Sequence, residues 1–438
     1  MNLQEYIQQA HGNRADWFLQ EVNSVSNAQR IQKVKANKSY LDGNHDILQR
    51  APFYHNGVLV EPRKIVINLA RQLINWQTSF LLRHDVVVVG QQRVADELNE
   101  VSKRAKFNLK NTEILKKLLC YGQCAEYIFL DKGRITSKII DPSQYTPVYN
   151  RHNELISLIQ FYSWNGKDYY TVYDEEKVQE YESVKGRLQL TAQYASLTGL
   201  PVIYSSNDLI GNSEGRSDLE DWKGILDAIE ILVSKYFDAF ATFLNPIPVV
   251  SGQQLKGEMD KNIVGQGINL DDGASFSLVT GKMDSNTFNS LYKTLFDTLM
   301  QVSATPSVAF GDSQISNVSE QTVKLLFSLS EVKANQNESH LKHGFNRRFS
   351  KVRTLLEFRG FKMSDDEFYS IDTTFTYNIP MNEGEIISNM QKLREMSGIS
   401  IDTLLENNPY VQDVEMEKQR LQSEGTIGDN MVDSNKEE

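Results

Sequence analysis

The chain has 438 residues, of which 40% are hydrophobic and 24% charged, and this composition excludes a disordered or collagen-like protein. The formal net charge at pH 7 is −11, and residues 361–438 alone hold six Lys and Arg against 17 Asp and Glu. An acidic balance argues against a double-stranded DNA reader with a basic face, although it permits a protein past which DNA slides.

Helices are predicted for most of the first 120 residues. The first 50 residues are polar with a helical pattern, and they end in a turn at 41–44. Residues 62–83 predict a helix that has Pro62 in its first turn. A short β-branched run at 85–89 and a helical stretch at about 94–119 follow. The helical spacing within 62–83 is that of Ile65, Leu69, Leu73, Trp76 and Phe80.

Residues 125–205 predict an antiparallel β region laid on helices, so the fold class is α+β. The segments are short, rich in Tyr, Ile, Val and Thr, and separated by Gly, Asn, Asp or Pro. Asn165-Gly166 predicts a two-residue hairpin turn. The strand-like segments are AEYIFLD, SKIID, YTPVYN, LISLIQFYSW, DYYTVYD and RLQLTAQY.

A long amphipathic helix is predicted to begin at a capping box. Ser217 can accept a bond from a free N–H of the first turn, and Glu220 can reach back to it. The apolar residues then recur at steps of three and four over about 27 residues, roughly 40 Å. They are Leu219, Trp222, Leu226, Ile229, Val233, Tyr236, Phe240 and Phe243.

A small β module and two more helices are predicted beyond Pro246. IPVVS and ASFSLVT are strand-like, and the helix at about 285–304 ends before Pro306. A polar insert leads to a helix of about 40 residues ending at Phe358, an order that few compact enzymes show. One face of the 285–304 helix is expected to carry Phe288, Leu291, Leu295 and Leu299.

The C-terminal part is predicted to hold one more strand and three short helices. The alternating segment 370–379 predicts the strand. An acidic tail from about Gly425 is expected to be disordered. The helices are placed at 382–396, 400–407 and 412–423.

The sequence predicts no catalytic residue, cofactor or metal. Cys120 and Cys124 exclude a disulfide-stapled secreted scaffold and lack the partners of a zinc tetrad, so a structural role is expected. Gly281-Lys282 lacks the spacing of a phosphate-binding loop, and Asp271-Asp272-Gly273 lacks the positions of a calcium loop. No signal peptide or membrane span is expected, and the expected compartment is a reducing cytosol.

His340 and His343 lie on the long third helix, near several basic residues. One interpretation is a metal site or a phosphate-facing patch. The favoured alternative is a solvated helical face, or ion pairs with a neighbouring subunit. Residues 317–360 carry eight Lys and Arg against four Glu, a local surplus of positive charge.

The chain resembles the portal proteins of tailed bacteriophages, the siphovirus type that forms the head-to-tail connector ring. The resemblance rests on the order and spacing of short segments along most of the chain. These are YLDGNHDI at 40–47, residues 64–82, YGQCAEY at 121–127, IDP at 140–142 with PVY at 147–149, GRSDLE at 215–220, GISIDTLLENNP at 398–409 and DVE at 413–415.

The resemblance implies a portal fold and a closed ring of identical subunits, commonly twelve. It implies a β-rich wing, a helical stem, a small α/β clip, a tunnel loop and a helical crown. The implied boundaries are 1–216 for the wing, 217–244 for stem helix 1, 245–284 for the clip, 285–306 for stem helix 2, 307–319 for the tunnel loop, 320–381 for the long helix and return strand of the wing, 382–424 for the crown and 425–438 for the acidic tail.

The resemblance also implies which residues face DNA. A neutral or acidic lining of small polar residues avoids deep electrostatic wells for the phosphates of sliding DNA. The tunnel loop offers such a lining in Gly311, Asp312, Ser313, Gln314, Ile315, Ser316 and Asn317. Asn317-Val318-Ser319 stands where the family often has Ser-Gly. Candidate contacts to DNA or, as favoured here, to a neighbouring subunit are Lys324, Arg347, Arg348, Lys351 and Arg353.

The implied function is a non-enzymatic channel for packaging double-stranded DNA into a capsid and ejecting it. ATP hydrolysis would belong to a terminase, and the other implied partners are the scaffolding and major capsid proteins and a head-completion adaptor, with no membrane. The implied location is the portal vertex of the virion, and the host cytoplasm during assembly. The alternatives are another ring or adaptor of the phage neck or tail, and a cytosolic hydrolase with an unrecognised carboxylate site.

Overall fold

The computed structural model divides into two compact units, Met1–Asp312 with Leu329–Asn378, and Ser313–Ser328 with Ile379–Glu438. Each unit is described by itself. The described residues are 1–55, 58–184, 186–206, 215–243, 247–252, 272–279, 284–310, 320–379, 383–406, 408, 410–411 and 414–423.

Helices occupy the start of the chain, which confirms the prediction for its first 50 residues. Asn2 begins the first helix by accepting a bond from the backbone N–H of Glu5, whose carboxylate accepts one in return. A turn at 42–44 is followed by a short hairpin of strands β1 (Phe53–His55) and β2 (Val58–Val60). The helices are α1 (Leu3–His11), α2 (Trp17–Val22) and α3 (Val25–Leu41).

The helix predicted at 62–83 is shorter than expected, since α4 spans Leu69–Leu82. The prediction was wrong for residues 62–68, and Pro62 does not lie in a first helical turn. The backbone N–H groups of Arg63, Ile65 and Ile67 donate to side chains of another helix instead. A helical ladder cannot use the same groups.

Strand β3 (Val87–Val89) and two helices complete the N-terminal part. The stretch predicted as one helix at 94–119 is α5 (Gln92–Ala105) and α6 (Phe107–Tyr121). Lys106, between them, has φ of 55°, a left-handed conformation that interrupts the helical ladder.

Two antiparallel sheets form the predicted β region, and the α+β class is confirmed. The first has the order β11-β4-β5 and the second β10-β9-β8-β7-β6. Asn165 and Gly166 both have positive φ in the β7–β8 turn, as its two-residue hairpin requires. Strands β9 and β11 were not predicted. The strands are β4 (Gln123–Asp131), β5 (Arg134–Ile140), β6 (Tyr145–Tyr149), β7 (Leu155–Trp164), β8 (Lys167–Tyr173), β9 (Lys177–Val184), β10 (Arg187–Ala195) and β11 (Val202–Ser205).

Both faces of the five-stranded sheet take part in hydrophobic cores. One core joins Tyr145, Leu158 and Tyr173 of this sheet to Ala125 and Ile140 of the three-stranded sheet. The other packs the aromatic rings of α2 on residues of β6, β7 and β8, namely Trp17 and Phe18 on Val148, Ile159 and Val172. The five-stranded sheet therefore packs against the three-stranded sheet on one face and against α2 on the other.

Long helices follow the sheets, as predicted. Helix α7 spans Leu219–Phe243, α8 spans Ser285–Val302 and α9 spans Glu320–Phe358. Between the first two of these helices, β12 (Ile247–Ser251) pairs with β13 (Ser275–Val279) in antiparallel register. These are the predicted strands of the small β module.

The C-terminal part differs from the prediction in its strand. Helix α10 (Asp365–Tyr369), which was not predicted, precedes β14 (Asp372–Thr374). Only these three residues of the predicted strand 370–379 pair with another strand, and their partners are the three residues of β3, Val87–Val89. The three predicted short helices are confirmed as α11 (Glu383–Glu395), α12 (Ile401–Glu406) and α13 (Val414–Ser423). The acidic tail at 425–438 lies outside the described residues.

Candidate functional site

The apolar stripe of α7 is buried in its first half, whereas two phenylalanines of its second half are exposed. Trp222, Leu226 and Ile229 are at most 1% exposed, and α4 and α6 pack near α7. Phe237 and Phe240 continue the same spacing, but they are 42% and 47% exposed. Leaving two phenylalanine rings in water is unfavourable, since full burial of such a side chain is worth about 1.5–3 kcal/mol.

Helix α8 covers one side of α7 through stacked aromatic rings. The rings of Tyr236 and Phe288 lie 3.8 Å apart, and the ring of Tyr292 lies 6.1 Å beyond Phe288. Leu299 is buried as the predicted face requires, whereas Leu291 is 47% exposed. The packed face of α8 is therefore rotated from the predicted one, toward Tyr292.

An extended segment, residues 61–68, lies along α7 and is called the strap here. The N–H groups of Arg63, Ile65 and Ile67 donate to Asp238 Oδ1, Ser234 Oγ and Glu230 Oε1 at 2.8, 3.0 and 2.7 Å. Alternate residues of an extended chain are about 6.7 Å apart, and every fourth residue of a helix about 6 Å, so the two repeats match.

Glu230 also binds a buried histidine. His45 Nδ1 lies 2.6 Å from Glu230 Oε1, and the other ring nitrogen lies 2.8 Å from the carbonyl oxygen of Tyr40. Burial raises the pKa of the Glu230 carboxyl, while the bond from the Ile67 N–H and His45 act in the opposite direction. The pair links the N-terminal helices to the middle of α7.

The start of α7 is held by bonds to α6 and α9. Ser217 Oγ accepts from the N–H of Leu219 at 3.1 Å, which confirms its predicted capping role. The Glu220 carboxylate instead lies 3.5 Å from Arg216 Nε, so the reciprocal bond of a capping box is replaced by an ion pair. Asp218 is bound by Lys333 of α9 at 2.7 Å. Burial raises the pKa of the Asp218 carboxyl, and Lys333 partly offsets this.

Arg348 was a candidate contact to DNA or to a neighbouring subunit, and the structure places it in the interior. Its Nε lies 2.8 Å from Glu126 Oε2, and its Nη1 donates to Asn111 at 2.6 Å. Tyr204 and Ser137 donate to the same Glu126 carboxylate at 2.7 and 2.5 Å. Arg348 therefore holds α9 to β4 and α6 inside the chain.

Glu126 was missed by the sequence reasoning. The signal was available, because Glu126 lies among the apolar residues Cys124, Ala125, Tyr127 and Ile128, and a buried charge needs a partner. Its partner lies 222 residues away along the chain, and nothing in the local sequence identifies it.

The other four basic candidates lie on different parts of α9. Lys324 and Arg347 are exposed. Lys351 is half-buried, and burial lowers the pKa of its amine while Glu175 opposes this. Arg353 forms ion pairs with Glu357 and Asp365, both at 2.8 Å. Their contact with DNA or another subunit stays a prediction.

The predicted tunnel-loop residues, Gly311, Asp312, Ser313, Gln314, Ile315, Ser316 and Asn317, lie outside the described residues. Among the residues that the structure describes, no group of three or more His, Cys, Asp and Glu is placed to hold a metal ion. Burial lowers the pKa of both His340 and His343, with Lys333 and Arg347 adding to the effect at the respective imidazoles. Within the same described ranges, no helix has the length and apolarity needed to cross a bilayer.

An apolar helix stripe that the subunit itself covers only in part is typical of a protein completed by its neighbours. The family model for phage portal proteins, SPP1 Gp6-like, matches residues 25–427. The chain belongs to this family. It is therefore a structural component of a phage virion that serves DNA packaging at the connection between head and tail.

One relative and two solved structures show the extent of the similarity. The portal protein of Bacillus phage SPP1 is 21% identical over 380 residues, which are 80% of this chain and 74% of that protein. A chain in the neck of an empty gene transfer agent particle, computed with C6 symmetry, is 9% identical with a TM-score of 0.46, covering 80% of this chain and 88% of that one. A chain in the neck of the native particle, computed with C12 symmetry, has the same identity and TM-score and covers 76% and 89%.

Proposed function

We propose that the chain assembles into a closed ring whose central channel passes double-stranded DNA into the capsid during packaging and out of it during ejection. The observation that carries the proposal is the stripe of α7, which is buried at Trp222, Leu226 and Ile229 and exposed at Phe237 and Phe240. In a ring of identical subunits each stripe is covered by a neighbour, and no second protein is needed.

The parts of the ring follow the segments of the chain. Residues 217–244 and 285–306 form the stem, with 245–284 as the clip between them. The tunnel loop is 307–319, and the wing comprises 1–216 and 320–381. The crown is 382–424, followed by the acidic tail at 425–438. The packing of α7 on α8 through Tyr236 and Phe288 supports pairing them as one stem.

The lining of the channel is assigned to the tunnel loop, Gly311 to Asn317. Its side chains are short and polar, apart from Ile315, and its one ionisable group is the carboxylate of Asp312. Each phosphate that a channel residue neutralises increases the affinity of the channel for DNA. A lining without basic residues therefore allows the duplex to slide.

The ring would act as a docking site rather than as an enzyme. A terminase would supply ATP hydrolysis, and a head-completion adaptor would bind the clip. Scaffolding and major capsid proteins would meet the ring at the portal vertex, after assembly in the host cytoplasm. The acidity of residues 361–438 favours protein partners over DNA for this part of the chain.

The test is the mass and symmetry of the purified chain, by native mass spectrometry and class averages from electron microscopy. We expect a closed ring of about twelve copies with a central hole. A monomer or dimer that scaffolding protein cannot convert into rings would contradict the proposal.

A further inference from the structure

The hairpin of β1 and β2 carries an apolar face that its own subunit leaves uncovered. Tyr54 and Leu59 lie directly opposite each other in the register, so their side chains share one face. They are 75% and 52% exposed. A two-stranded hairpin is marginally stable in water at best, and an exposed tyrosine beside a leucine is typical of a contact with another protein.

Both ends of the hairpin are fixed to the second half of α7. Before the hairpin, Arg50 forms an ion pair with Asp238 at 3.0 Å and donates to the carbonyl oxygen of Arg63 at 2.8 Å. After the hairpin, the strap begins, and the Arg63 guanidinium lies 5.3 Å from the centre of the Phe237 ring. The hairpin is therefore held beside the exposed end of the α7 stripe.

The strap and α8 lie on opposite sides of α7. The strap contacts Glu230, Ser234 and Asp238, which are four residues apart and so share one side of the helix. Tyr236, which stacks on Phe288 of α8, is two residues from Ser234 and from Asp238. Residues two apart in an α-helix point about 200° apart, so α7 separates the strap from α8.

Helix α8 offers an apolar flank of its own, because Leu291 and Val302 are both exposed. A ring of identical subunits needs two different surfaces that fit each other, since each subunit meets one neighbour on each side. The hairpin, which is fixed to the strap side of α7, and the exposed flank of α8 on the other side of α7 are two such different surfaces, as copies joined head to tail require.

We propose that the hairpin of one subunit docks on the exposed flank of α8 in the next copy of the chain, with Tyr54 and Leu59 against Leu291. The inference rests on the proposed ring and names two surfaces of its interface. The occupant is a second copy because both surfaces belong to every subunit and lie on opposite sides of α7.

The test uses two variants, Tyr54→Glu with Leu59→Glu on the hairpin, and Leu291→Glu on α8. Each variant alone is expected to stay monomeric in native mass spectrometry. An equimolar mixture is expected to give a dimer and nothing larger, because only one intact hairpin and one intact α8 flank can meet. Rings from either variant alone, or a mixture that stays monomeric, would overturn the inference.

A matched control tests whether added surface charge alone prevents rings, and a cross-link tests the proposed contact directly. Tyr369→Glu with Leu109→Glu changes residues of the same types that are at least as exposed, and this variant is expected to form rings. In a chain with Tyr54→Cys and Leu291→Cys, oxidation of the ring is expected to give covalently linked subunits, and either cysteine alone should give none. Absence of the link in rings would also overturn the inference.

The unaltered chain separates the two proposals. If it forms no ring at all, the proposed function fails. If it forms rings that the hairpin variant forms equally well, the ring stands and the docking of the hairpin is wrong.

Discussion

The cluster around Glu126 and Arg348 and the second half of α7 differ in where their partners lie. In the cluster, Arg348 binds Glu126 and Asn111, and Tyr204 donates to the same carboxylate, all within one chain. In the second half of α7, Phe237 and Phe240 continue a buried stripe into solvent.

The cluster makes its contacts within one subunit, whereas in the proposed ring the second half of α7 makes part of its contacts with a neighbouring subunit. Because the ion-pair and hydrogen-bond partners of Glu126 and Arg348 lie inside the chain, the stability of the cluster does not depend on protein concentration. In the proposed ring, the exposed part of the α7 stripe gains stability when a neighbour covers it, and that gain would depend on protein concentration.

The largest effect is expected in the cluster. Glu126→Leu or Arg348→Met leaves one buried charge without its partner and should lower the free energy of unfolding by about 3–5 kcal/mol. The double variant should lose much less than the sum of the two. Urea denaturation of the four proteins measures this, and additive losses would contradict an interior ion pair.

An exposed pair serves as the control for the cluster. Glu100 and Arg104 form an ion pair on α5 with both side chains largely in water. Glu100→Leu should change the free energy of unfolding by at most about 1 kcal/mol. An equal loss at both pairs would mean that burial does not set the difference.

In contrast to the cluster, the stripe of α7 is expected to affect ring assembly and not the free energy of unfolding of the subunit. Phe240→Glu is expected to leave the unfolding of the isolated subunit within about 0.5 kcal/mol of the unaltered chain, because the side chain is already half in water. The same change should abolish rings in native mass spectrometry. Ile231→Glu is the control, since Ile231 is equally exposed but points to the opposite side of α7. Rings are expected to survive it.

Two helical glycines give smaller effects of opposite sign, one beside the cluster and one in the first half of α7. A methyl group at Gly344 of α9 would overlap the ring of Tyr204, so Gly344→Ala should destabilise by about 1–3 kcal/mol. Gly224 of α7 has nothing near its added methyl group, and Gly224→Ala should stabilise the subunit by about 0.5–1 kcal/mol. Thermal unfolding measures both, and the same sign for both would contradict the packing described.

The last prediction concerns the reactivity of the cysteines near the cluster and no change in the free energy of unfolding. Burial raises the pKa of the Cys120 thiol to about 12, and burial also raises the pKa of Cys124. Because the thiolate is the reactive form, labelling by a thiol reagent at pH 8 should be about a thousandfold slower than for an exposed cysteine. Labelling should become faster as the pH rises toward the raised pKa. Rapid labelling of the folded chain at pH 8 would mean that Cys120 is open to solvent.

The parts of the fold that follow from local pattern were predictable from the sequence. The steps of three and four from Leu219 to Phe243 predicted α7 within two residues at each end. Alternation and turn residues likewise predicted the β7–β8 hairpin at Asn165-Gly166. In both elements the bonds that define the structure join residues close in sequence.

The parts that depend on distant partners were not predictable in the same way. Residues 62–68 have a helical pattern, yet the N–H groups of Arg63 and Ile67 donate to side chains of α7 that lie 175 and 163 residues later. In the sequence, Arg348 lies among other basic residues and has the pattern of a surface charge. Only the fold places Glu126 beside it in the interior. The apolar spacing of α7 does not show which part of the stripe is exposed, because its burial depends on helices distant in sequence such as α4 and α6.

The most direct test of the account compares hydrogen exchange of the assembled protein with that of the Phe240→Glu subunit. The account predicts that amides of α7 from 231 onward and of α8 exchange more slowly in the assembly, while those of β4 and β5 exchange equally in both. Equal exchange of α7 and α8 in the two forms would contradict the claim that neighbouring subunits cover this helix pair.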